Sequence, residues 1–97
     1  MLKLPAVLTH AGASEFFRTL TGELSSQLGE VLVDASALRQ FDSSALAILL
    51  ECRRQALATR KTFAVQSAPE RLLQLAGVYG VAALIFAAPD RPVLAGG

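Results

Sequence analysis

The chain has 97 residues, a net charge of +1, 53% hydrophobic residues and 18% charged ones. That length supports one domain with a single core and little to spare. Lys and Arg are scattered and leave no electrostatic footprint for nucleic acid, and no stretch approaches the roughly 20 unbroken apolar residues that cross a bilayer. So apolar a composition leaves surplus surface, for which a partner protein is the economical expectation.

Met1-Leu2-Lys3-Leu4-Pro5 lacks the apolar run and cleavage site of a signal peptide, so cytoplasmic residence without direct membrane insertion is expected. Cys52 is the only cysteine and cannot form an internal disulfide, which agrees with a reducing compartment. Its mid-helix setting among apolar neighbours reads as a small core residue.

Leu2 to Leu8 predicts a first strand, with Pro5 tolerable near an edge or bend. Thr9-His10-Ala11-Gly12 reads as a turn, and Ser14 as the cap of a helix. Phe16, Phe17, Leu20 and Leu24 lie on the inner face of that helix, with Glu15, Arg18 and Glu23 outside. Gly22 weakens its end, and Ser25-Ser26-Gln27 and Gly29 close it. His10, the only histidine, has no other ligand type clustered near it, so it is a loop residue and not a metal ligand.

Val31-Leu32-Val33-Asp34 is short, β-branched and apolar, as a strand covered on both faces should be. Ala35 to Gln40 leads from it to the stretch around which the chain is organised, Phe41-Asp42-Ser43-Ser44-Ala45-Leu46-Ala47-Ile48-Leu49-Leu50. Asp42 and Ser43 are strong N-cap types, since their oxygens can accept from unpaired N–H groups of a first turn. The helix start presents two hydroxyls and a carboxylate at an electropositive terminus. That arrangement suits a phosphorylation site or a docking surface, and it also suits a plain cap. The helix is predicted from Ser44 to about Thr59, with Ala45, Leu49, Cys52 and Ala56 in one stripe and Ala47, Glu51, Arg54, Gln55 and Ala58 opposite. Its first two turns are apolar on every side. The expectation is that Ala47, Ile48 and Leu50 await a partner.

Lys61 to Gln66 predicts another strand, with Phe63 and Val65 on one face. Ser67-Ala68-Pro69-Glu70 has the form of a capping box. The helix it opens carries Leu72, Leu75, Ala76 and Tyr79 on one face and ends at Gly77 and Gly80. Ala82 to Phe86 reads as a short strand or a helical turn. A domain over residues 1–88 and a loose tail over 89–97 are expected. The fold class is therefore α/β, with about four mostly parallel strands alternating with three or four helices, which lie mainly on one face.

There is no G-x-x-x-x-G-K, G-x-G-x-x-G or G-x-S-x-G, and one distant histidine makes a Ser/His hydrolase a poor reading. Asp34 ends a strand and Asp42 caps a helix, so structural duty explains each. No catalytic constellation, metal site or cofactor site is expected.

The run Val31 to Leu46, a strand ending in Asp followed by a loop and then Asp42-Ser43-Ser44-Ala45-Leu46 at a helix start, resembles the core signature of STAS domains. The order of elements from Leu2 to Phe86 is similar as well. The resemblance implies a STAS-like fold and a non-catalytic binding module. In bacterial anti-sigma factor antagonists the serine before the Gly-Leu pair is phosphorylated by a partner kinase, and Ser44 holds that position. In the STAS subunit of the Mla phospholipid-transport ABC system the hydroxyl that matters directly follows the Asp, which corresponds to Ser43.

Two departures stand out. Ala45 replaces the family glycine, and the usual first strand of the amino-terminal hairpin is missing. The short chain and Leu49-Leu50-Glu51-Cys52-Arg53-Arg54 after the motif look more like the Mla-type subunit. The resemblance thus implies docking on the ATPase subunit of a transporter that maintains outer-membrane lipid asymmetry. Residence would be cytoplasmic, peripheral to the inner membrane through that partner. Phe41, Asp42, Ser43, Ser44, Ala47, Ile48, Leu50 and Glu51 form the expected partner-binding face, and the helix from Glu70 to Ala76 is the alternative face. Ser44 and Ser43 are the candidate phosphorylation sites. The isolated chain is expected to be a monomer or weak dimer. An anti-sigma factor antagonist switched at Ser44, with an anti-sigma factor kinase as partner, is the alternative function.

Overall fold

The computed structural model describes residues 2–86; the expected boundary at residue 88 and the tail over 89–97 lie outside them. In chain order the elements are β1 (Leu2–Lys3), β2 (Val7–Leu8), α1 (His10–Ser25), β3 (Glu30–Asp34), β4 (Gln40–Phe41), α2 (Ser43–Ala58), β5 (Thr62–Gln66), α3 (Glu70–Val78) and α4 (Ala82–Phe86). Among the described residues, five short strands stand where about four were expected. They form two parallel sheets, one ordered β1-β3-β5 and the other β2-β4.

The first predicted strand is split. Pro5 has no N–H to give a ladder, and the chain leaves the larger sheet after Leu4, whose N–H reaches Asp34 O at 2.9 Å. It then pairs Val7 with Gln40 and Leu8 with Phe41. That second pairing creates β4 inside a segment that reads as loop. Both crossovers of the larger sheet step in one direction, so right-handed connections put α1 and α2 on the same face. The registers Leu2↔Val33↔Val65 and Val31↔Phe63 form the covered face, on which Leu2, Val31, Val33 and Phe63 are buried. Lys3, Glu30, Thr62 and Gln66 on the other face are exposed.

Helix α1 starts five residues earlier than the Ser14 cap predicted, at His10 with Thr9 as its N-cap. Leu20 and Leu24 are buried, while Phe16 is half-buried and Phe17 exposed. Helix α2 matches its predicted span closely, and Ala45, Leu49, Cys52 and Ala56 are all fully enclosed. Leu46 and Ile48 are buried too. Helix α1, α4 and the strands β3 and β5 all pack on α2, and this explains the all-apolar first turns without a partner. A fully buried Leu or Ile side chain contributes about 1.5–3 kcal/mol, so α2 is the element on which the core is assembled.

The capping box is not formed. Ser67 has φ +60° and the N-cap is Pro69, with no side-chain hydrogen bond. A residue before proline is disfavoured in the helical region, which keeps Ala68 from opening a helix, and α3 begins at Glu70. At its other end Tyr79 is the C-cap and Gly80, with φ +74°, follows it. Val81 N–H bonds Ala76 O at 2.9 Å and Gly80 N–H bonds Gly77 O at 3.1 Å, which is the Schellman pattern. Tyr79, the C-cap, is 57% exposed and does not join Leu72 and Ala76 in the core. Residues 82–86 form the short helix α4, with Ile85 buried, so the strand alternative falls.

Candidate docking site

Asp42 follows β4 directly and is the N-cap of α2. Its extended backbone, φ −134° and ψ −163°, lets the carboxylate fold back over the helix start. Oδ1 accepts the Ser44 N–H at 2.8 Å, and Oδ2 accepts the His10 N–H at 3.0 Å. One carboxylate thus caps two helices, where two positive dipole ends meet. The Ser44 N–H, and after it the His10 N–H, stabilise the charged form and hold this carboxyl below its ordinary value.

Beside this double cap lies a groove of about 470 Å³ between the start of α2 and helix α3. Phe41, Asp42 and Ser43 line one wall, and Arg71, Gln74, Leu75, Val78 and Tyr79 line the other. The Arg71 guanidinium carbon stands 5.4 Å from the centroid of the Phe41 ring, within cation–π range. Val78 is 82% exposed, so an apolar rim borders the groove where solvent has free access. The site sits beyond the carboxyl end of a parallel strand, the usual place for binding in α/β folds.

The expected partner-binding residues divide into groups. Phe41, Asp42 and Ser43 line the groove; Ser44 is half-buried and does not. Ala47 is exposed one turn further along α2. Ile48 has no exposed surface and Leu50 is half-buried against the core, which corrects the expectation that both face outward. Glu51 is engaged by its own helix. It accepts from Arg54 and Gln55, and these hydrogen bonds, Arg54's foremost, pull its carboxyl down to about 2. Burial pushes the Cys52 thiol up to about 12, which makes it inert and not a nucleophile.

Arg71, Gln74 and Leu75 of the far wall lie on the helix named as the alternative face, while Val78 and Tyr79 lie beyond the bounds of that face. The Gly80 stop leaves Val78 and Tyr79 at the end of α3, where both are exposed, while Leu75 packs partly against the core. Among the described residues no three His, Cys, Asp or Glu side chains gather as metal ligands. No helix among them is long and apolar enough to cross a membrane.

With this geometry in place, comparison with known proteins is informative at the level of family. The sequence profile of a family described as "Mlab, STAS domain" matches residues 1–86. The chain belongs to the STAS domain family, whose members are in general non-catalytic modules that bind other proteins. No curated protein matches it.

Proposed function

We propose that this chain is the STAS subunit of an Mla-type phospholipid-transport ABC system and docks on the ATPase subunit of that system. It works by binding and carries out no catalysis. It would reside on the cytoplasmic side of the inner membrane through its partner. The observation that carries the reading is the open groove at the family signature, with Ser43 on its wall and apolar residues on its rim.

The choice between the two serines supports the same reading. Ser43, the position that matters in the Mla-type subunit, is exposed and on the groove. Ser44, the position antagonists phosphorylate, is half-buried. A kinase must reach a hydroxyl, so the exposed one is the better candidate for contact with a partner.

Co-expression with an Mla-type ATPase subunit from the same host tests the proposal. A stable complex, with ATPase activity that falls for Ser43→Asp while the circular dichroism spectrum stays native, is the expected result. Stoichiometric phosphate on Ser44 in protein from the native host, together with no complex, would replace this reading with the antagonist.

A further inference from the structure

The groove carries more information than its position, because its charges are unequally committed. Asp42 contributes the one acid of the lining, and both of its oxygens accept backbone N–H groups. Arg71 contributes the one cation. Among the described residues the only ion pair joins Arg54 to Glu51, which leaves Arg71 with the Phe41 ring as its recorded neighbour. A ring offers no acceptor atom, so this contact leaves the guanidinium N–H donors available to an oxygen. Those donors form a fork that matches a carboxylate in a bidentate pair. The groove therefore presents a cation with donors for a carboxylate, among Phe41, Leu75, Val78 and Tyr79.

We propose that Arg71 is the specificity-determining residue of this groove, and that the occupant is a protein segment carrying an Asp or Glu flanked by apolar side chains. This rests on the docking function proposed above and identifies the chemistry of the partner's contact. Charge complementarity selects the acid, and the apolar walls select its neighbours. Arg and Tyr are also the residue types that dominate binding energy at protein interfaces. An anionic membrane surface is the poorer match, since binding there draws on clusters of about four to eight cations and the groove has one.

The test measures binding of the full chain to the purified ATPase subunit by isothermal titration at low and moderate salt. Arg71→Gln is expected to weaken binding by about tenfold or more and to flatten its salt dependence. Arg18→Gln, a change of the same charge on exposed α1, is expected to leave binding unaltered. Circular dichroism checks that each variant is folded. If wild type binds and Arg71→Gln binds equally with the same salt dependence, the inference fails while the docking function stands. If wild type binds no ATPase, the docking function fails first. Arg71-dependent binding to vesicles rich in anionic lipid, with no effect on the ATPase complex, would also overturn the inference.

Discussion

Asp42 Oδ2 accepts the backbone N–H of His10 at 3.0 Å, across 32 positions of sequence. This contact joins the start of α1 to the start of α2 and fixes the corner on which the groove is built. It also supplies α1 with the cap that Thr9 does not provide, since no side-chain cap bond is made there. The same carboxylate caps α2 through Ser44 N–H, so its two oxygens serve two helices.

An asparagine at this position has one acceptor oxygen and a donor amide, so it can cap one helix and not both. Thermal melting should therefore rank wild type above Asp42→Asn, and Asp42→Asn above Asp42→Ala. Amide exchange should localise the loss in Asp42→Asn to one helix start and in Asp42→Ala to both. Equal melting of the asparagine and alanine variants would contradict the double cap.

Acid stability follows from the depressed carboxyls. Glu51 lies at about 2 because Arg54 and then Gln55 bond its ionised form, and Asp42 is lowered by backbone N–H groups. A folded value below the unfolded one means stability that is present above the unfolded value and lost as pH falls through the folded value. The window for Glu51 runs from about 4.5 down to about 2. Urea midpoints across that window should fall for wild type, and fall less for Glu51→Gln.

The amphipathic pattern of α2 was only partly legible. The stripe from Ala45 to Ala56 followed from helical spacing, but Ile48 could be placed only once α1, α4 and the sheet were known to surround the helix. Ile48→Ala should cost about 2–5 kcal/mol by urea denaturation, and Ile48→Asp should unfold the chain. Ala47→Glu, one residue away and exposed, should change stability by no more than about 0.5 kcal/mol. A folded Ile48→Asp protein would contradict the packing described.

Long-range contacts account for the remaining surprises. The alternation of strands and helices and the cap at Asp42 rest on local chemistry and were readable. Strand β3, read as covered on both faces, is buried on one face only, through Val31 and Val33. The two-residue strand β4 exists because Pro5 redirects a distant segment to pair with it, and α1 begins early because a distant carboxylate caps it. The false capping box at Ser67 shows a local rule, the restriction before Pro69, overriding a local motif.

Arg60 repeats at the end of α2 the geometry that Gly80 provides for α3. Lys61 N–H bonds Ala56 O at 2.8 Å, Arg60 N–H bonds Leu57 O at 3.1 Å, and Arg60 has φ +62°. A residue with a Cβ is strained there by roughly 1–2 kcal/mol, offset in part by the greater unfolded-state freedom of glycine. Arg60→Gly should thus stabilise the chain by up to about 1 kcal/mol in chemical denaturation. A loss of stability would show that the arginine side chain makes contacts that outweigh the strain.

The central claim is that the groove between α2 and α3 is where the ATPase subunit docks. A photo-activatable cross-linker placed at Gln74, in the groove wall, tests it most directly when compared with the same group at Arg18 on α1. The account predicts that the chain labelled at position 74 cross-links to the ATPase subunit in cells and that the chain labelled at position 18 does not. Cross-linking from position 18 with none from position 74 would place the docking face on α1 and contradict it.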